Sequence, residues 1–189
     1  MHKTYIMKCI LKSIVTIIVL SVLISCSDRY NVKRTMVEFT KSEIILPDRL
    51  TFVKNGECST INSSELINDN MLIIYVDSTS CSACKISHFS DMLPLYHLSD
   101  SVEHNFSVMA IFSPKNENIN EVESLLRLLK FPYPIYLDFD QQFAKINNLP
   151  SDKRFHNFLI SSEGKVKYVG NPLASEDLMS VFLNIIRIN

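Results

Sequence analysis

Two cysteines three positions apart, Cys81 and Cys84, are the residues of this chain best placed to do chemistry. They fall between a continuous apolar run, Leu72 to Val76, and a segment whose apolar residues Ile86, Phe89, Leu93 and Tyr96 recur at helical spacing. A strand should stop there and a helix begin. Cysteines so spaced in the first turn of a helix share one face and lie close enough to form or break a disulfide. Cys81 would sit among unpaired N–H groups at the positive end of the helix dipole, which stabilises a thiolate and lowers its pKa from the free value of about 8.5. Lys85, one turn on, acts weakly in the same direction. Cys84, deeper in the helix, would be the resolving thiol that attacks a mixed disulfide once Cys81 has captured a partner.

Other readings of the pair are weaker. Structural zinc needs four ligands, yet no second CxxC or HxxxH follows, and only His88 lies within a turn of Cys84. A haem link needs His directly after the second cysteine, where Lys85 stands. A purely structural staple over so short a loop would restrict little chain entropy. His156 could complete a soft Cys81, Cys84, His156 site of the kind copper prefers, but a His at a strand start is more often solvated or hydrogen-bonded, and no metal or organic cofactor is expected. Asp77, four before Cys81, could assist proton transfer; an Asp at a strand end is more often a turn residue.

The elements that position these residues belong to a chain of 189 residues, 47% hydrophobic, with a formal net charge of −1. That suits one domain with a sizeable core, and the lack of a basic block gives no sign of nucleic-acid binding. Residues 1–25 stand apart. Lys3, Lys8 and Lys12 precede an apolar run from Ile14 to Ile24, too short to span a bilayer comfortably, which reads as a secretory signal. It ends in Leu23-Ile24-Ser25-Cys26, which resembles the lipobox of bacterial lipoproteins and implies lipidation at Cys26. An uncleaved anchor with an incidental cysteine is the alternative. Removing 25 of the 189 residues leaves 164, with 16 basic and 20 acidic side chains because three lysines and no carboxylates depart. Of the five cysteines, Cys9 leaves with the signal and Cys26 takes the lipid, so Cys58 is left over beside the pair. It is either a buried core thiol or a third redox partner.

Residues 26–35 are polar and read as a tether, with the folded domain over 36–189. Met36 to Val53 suggests an extended region or hairpin at a sheet edge, and Asn55 to Asn70 a loop or one short helix around Leu66. Leu72 to Val76 and Phe106 to Phe112 read as strands buried on both faces. The helix from Cys81 to about Leu98 should kink at Pro94, which removes an N–H and clashes with the Ser90 carbonyl. Asn118 and Glu121 form a candidate capping box for a helix with Ile119, Val122, Leu125, Leu126 and Leu129 on its apolar face. A short strand follows over Pro134 to Leu137, then a brief helix capped by Asp140 that carries Phe143 and Ile146. Phe158 to Ile160, the turn at Ser162 to Gly164, and Val166 to Val169 read as a hairpin, and Ser175 caps a closing helix. The sum is an α/β fold with parallel strands at its centre and an antiparallel hairpin at one side, flanked by helices.

This order, with the cysteine pair after the first central strand, resembles the thioredoxin fold. The extra helix and strand, with Phe158-Leu-Ile-Ser-Ser-Glu-Gly-Lys-Val166, are similar to the TlpA/ResA branch of exported, membrane-anchored thioredoxin-like proteins. The resemblance implies Cys81 as nucleophile, Cys84 as its resolving and disulfide partner, exported protein thiols or disulfides as substrates, and a membrane reductase as a further partner. Two positions depart from the family. Ser80 replaces its aromatic residue before the first cysteine, and Phe155 falls where it carries a cis-proline, so a trans bond is expected there.

The function expected is that of a thiol-disulfide oxidoreductase in the cell envelope, lipid-anchored with its domain outside the cytoplasm. The alternatives are a thioredoxin-fold lipoprotein that binds or handles metal without catalysis, and a peroxidase, since Ser78 lies three before Cys81 where peroxiredoxins place Thr or Ser.

Overall fold

A computed structural model describes residues 28–63, 66, 70–80, 82–101 and 106–187, the side chains of Ser82 and Ala83 excepted. The expected signal segment, Cys26 and Cys81 lie outside the described residues. The chain divides between Glu38 and Phe39. Residues 28–39 are helical (α1), so most of the expected tether is helix, as are residues 36–39, where extended chain was expected. Among the described residues no helix is long and apolar enough to cross a membrane.

The second unit is built on a sheet of seven strands among the described residues, in the order β2-β1-β5-β4-β3-β6-β7. Its middle is parallel: β3 (Asn70–Val76) pairs with β4 (Phe106–Phe112), and β4 with β5 (Ile135–Leu137). Every residue of β3 is buried, as its uninterrupted apolar run requires for a strand covered on both faces. On the other side of β3 lies the hairpin of β6 (Asn157–Ile160) and β7 (Val166–Val169), both pairings antiparallel. The far edge is a second hairpin, β1 (Arg49–Lys54) with β2 (Glu57–Asn62), and β1 joins β5 antiparallel.

Alternation along β3 and β4 sends side chains to two layers. Leu72, Ile74, Val76, Val108, Ala110 and Phe112 pack with Val122 and Leu126 of α4 (Ile119–Leu129) and with Phe182 and Ile186 of α6 (Glu176–Arg187). On the opposite face Tyr75 packs against Phe143 of α5 (Gln142–Ile146), and Phe39 meets Phe158 and Phe155 edge-on. The segment leading into β1 is strapped over this layer: Asn147 accepts from Ile45 N–H at 2.7 Å and donates to its carbonyl at 2.8 Å. Ile44 N–H donates to the Gly164 carbonyl at 2.8 Å. Gly164 has φ +77, and a Cβ there would come within 2.6 Å of the Ile44 carbonyl oxygen. Only glycine fits that turn.

Four local expectations are corrected. Residues 57–62, expected as loop or helix, form strand β2, turned by Asn55-Gly56 with both φ values positive, the geometry of a two-residue hairpin turn. The single kinked helix is two: α2 (Ser82–Ser87) and α3 (Leu93–Ser99), with a 3-10 turn over Phe89–Met92 between them. Pro94 lies in the first turn of α3, and the Ser90 carbonyl that its missing N–H would have served accepts from Leu93 N–H instead. Asn118 makes no side-chain cap, because a 3-10 turn over Asn116–Asn118 already leads into α4. Finally, α5 is capped by Asp138 and not by Asp140. The Asp138 carboxylate accepts from Gln142 N–H at 3.0 Å and Phe143 N–H at 2.9 Å. Ser175 does cap α6, its hydroxyl accepting from Leu178 N–H at 3.2 Å.

Candidate functional site

β3 ends at Val76, residues 77–80 turn, and α2 is helical from Ser82. The junction is thus where the sequence placed it, although α2 spans six residues before its break, so fewer peptide dipoles align behind its first turn than an unbroken helix would supply. Cys84 is exposed on α2 with Lys85 beside it, while Ile86 and Phe89 turn inward. Phe89 anchors the segment, meeting Phe131 at 5.0 Å, Phe112 at 5.7 Å and Tyr96 at 6.1 Å, all edge-on.

The turn is held by Asp77. Its carboxylate accepts from the Thr79 hydroxyl at 2.9 and 3.0 Å, from the Ser80 N–H at 3.0 Å and from the Ser80 hydroxyl at 2.8 Å, with Lys153 Nζ at 3.9 Å. Burial pushes this carboxyl up, but the bonds from Ser80 and Thr79, with the charges of Lys153 and His156, outweigh it and hold the group below its ordinary value. Asp77 is therefore a turn-forming anion with its acceptor sites occupied.

A cavity of about 240 Å³ opens beside the turn, reaching Ser80, Lys85 and His88 on one side and Lys153, His156 and Asn171 on the other. His156 is 5% exposed. Its Nε2 lies 2.9 Å from the Pro150 carbonyl, and because a carbonyl only accepts, the proton sits on Nε2 and Nδ1 carries the lone pair when the ring is neutral. The ring packs edge-on to Tyr75 at 5.2 Å, and the His156 carbonyl accepts from Tyr75 N–H at 2.8 Å, prolonging the β3–β6 ladder. His156 is thus hydrogen-bonded, the ordinary state of a strand-start histidine, while also lining the cavity next to Ser80.

Phe155, at the position expected to frame that cavity, is 1% exposed, ends a 3-10 turn over Lys153–Phe155, and packs on Phe39 in the opposite layer. Among the described residues every peptide bond is trans. The aromatic side chain at the position where proline was looked for is thus turned into the core. Sequence reasoning singled out Asp77, His156, Lys85 and Cys84 but missed Lys153 and Asn171, which reach the cavity from loops that carry no periodic signal.

Cys58 is the one free cysteine among the described residues, half-buried on β2. Four strand spacings separate β2 from β3, about 19 Å at ~4.8 Å each.

No protein-family model matches the sequence, nor does any curated protein. Solved structures do match in fold. The thioredoxin domain of a thiol-disulfide oxidoreductase from Bacteroides vulgatus superimposes with a TM-score of 0.51 at 13% identity, over 77% of this chain and 97% of that one. A pneumococcal exposed lipoprotein thioredoxin from Streptococcus pneumoniae gives 0.49 at 14% identity, over 71% and 98%. A thioredoxin-like protein from Porphyromonas gingivalis gives 0.46 at 16%, over 77% and 92%. The first likeness agrees with the mixed sheet, its parallel centre and its terminal hairpin: the chain is an α/β protein with the thioredoxin-like fold.

Proposed function

We propose that this protein is a membrane-anchored thiol-disulfide oxidoreductase working outside the cytoplasm, lipidated at Cys26. The observation that carries the reading is the β3–α2 junction, which exposes Cys84 one residue before Lys85, itself part of the lining of the cavity of about 240 Å³. In the reductive direction the Cys81 thiolate attacks one sulfur of a substrate disulfide, forming a mixed disulfide and releasing the other substrate sulfur as thiolate. Cys84 then gives up its proton and attacks the Cys81 sulfur. The Cys81–Cys84 disulfide forms, the second substrate thiolate leaves, and two electrons have passed to the substrate. Oxidation of exported thiols is the same sequence reversed, and a membrane reductase would reset the pair.

Insulin reduction driven by dithiothreitol, assayed with the full chain in detergent, tests this. Cys81→Ser should abolish the protein-dependent rate. An unchanged rate would sink the proposal.

One observation favours a second reading, a scaffold that binds without exchanging electrons: Phe155 is withdrawn into the core and leaves the cavity without the residue that usually shapes the substrate groove. A redox titration of the purified chain separates the two, since a scaffold would show no two-electron transition in the range of about −120 to −300 mV.

A further inference from the structure

The cavity beside the β3–α2 turn has an uneven chemistry. Its floor is apolar, formed by Ile74, Val76, Phe89 and Phe112, each no more than 7% exposed. Its rim is different. Lys85, His88, Lys153 and His156 all reach it, against a single carboxylate, Asp91.

The counter-charges are mostly spoken for. Asp91 lies 4.0 Å from His88 Nδ1. Asp77, the other acid nearby, stands 3.9 Å from Lys153 and already accepts from three groups in its own turn. Among the described residues Lys85 has no carboxylate partner, and it is exposed. Asn171, which also lines the cavity, uses its Oδ1 to accept from Leu173 N–H at 3.0 Å, so what its amide has left to offer is the donor Nδ2. Donors and cations thus surround an apolar floor. The rim is local, because the chain downstream of residue 25 has more carboxylates than basic side chains.

From this we infer that the cavity selects its substrates, and that the segment it accepts is an extended peptide with an apolar side chain and acidic flanking residues next to the reacting cysteine. The apolar side chain removes its surface from water against Phe89 and Phe112. The acidic flanks meet Lys85 and Lys153, which speed encounter and orient the peptide, while like-charged flanks are repelled. The inference rests on the oxidoreductase reading and names the substrate class of that same site.

Two disulfide-bonded peptides test it, alike in length, in the residues between their cysteines and in one leucine, the first flanked by glutamates and the second by lysines. The full chain in detergent, reduced and then freed of reductant, should reduce the glutamate peptide in a single turnover with a second-order rate constant about tenfold higher at low salt, the ratio falling towards one near about 0.5 M salt. Lys85→Glu combined with Lys153→Glu should invert the ratio, and the milder Lys85→Gln should lower it partway, both lysines being exposed and free of any core role. Equal rates for the two peptides at low salt overturn the inference and leave the oxidoreductase reading standing. Reduction of neither peptide overturns both. A preference that survives the double charge reversal removes the two lysines from the explanation and overturns the assignment.

Discussion

Two aspartates occupy matching places in the sheet and do different work. Asp77 follows β3 and Asp138 follows β5, each one residue past a parallel strand and four or five residues before a helix. Asp138 is 4% exposed and reaches forward: it caps two N–H groups of α5 and accepts from the Ser113 hydroxyl at 2.9 Å. Among the described residues, the bonds of Asp77 stop at Thr79 and Ser80 inside the turn, with Lys153 beside them. One carboxylate spends its lone pairs on the helix that follows. The other spends them on the turn, where Thr79 and Ser80 fill its acceptor sites.

The comparison can be broken by mutation, and the largest effect should come from the buried partner. Asp138→Ala leaves the Ser113 hydroxyl and two helix N–H groups without acceptors inside the protein and should cost about 2–4 kcal/mol, read as a shift in the denaturant midpoint. Asp138→Asn, which keeps one acceptor oxygen, should recover part of the loss. Asp77→Ala should cost only about 1 kcal/mol, since its partners can turn to water. Its insulin-reduction rate should stay within about twofold of the parent, whereas a drop of about 100-fold would make Asp77 a proton carrier.

The smallest effect is a pH dependence. Asp77 titrates below its ordinary value of 3.8 in the folded chain, so its contribution is full above that value and fades as pH falls through the lower, folded one. The stability gap between the parent and Asp77→Asn should hold constant from pH 7 to about pH 5 and close below pH 3.8. A gap that instead closes between pH 5 and 7 would show that the turn does not depend on the Asp77 carboxylate.

The sheet's centre was legible because β3 and β4 are unbroken apolar runs that only a strand covered on both faces needs, and the terminal hairpin because Gly164 punctuates two short apolar segments. β2 was hidden by its polarity: Glu57-Cys-Ser-Thr-Ile-Asn62 is an edge strand with no fully buried side chain, so hydrophobic pattern could not report it. Asn55-Gly56 was the signal that could have. The break between α2 and α3 follows from Pro94 but appears earlier than a kink at the proline would, because the 3-10 turn consumes the carbonyls in front of it. Asp140 looked like the better cap for α5 by distance from Phe143, yet Gln141 adopts a left-handed conformation, φ 53, that carries the chain back over Asp138. Beside the cavity, the end of β3 and the start of α2 could be read from local pattern. Lys153 and Asn171 could not, since only the folded loops bring them to the cavity.

The placing of Cys58 also bears on how two copies of this chain would meet. Three strands, β1, β5 and β4, stand between β2, which carries it, and β3. A dimer cross-linked through Cys58 would join two outer sheet edges and leave β3, with the turn that follows it, inside each copy.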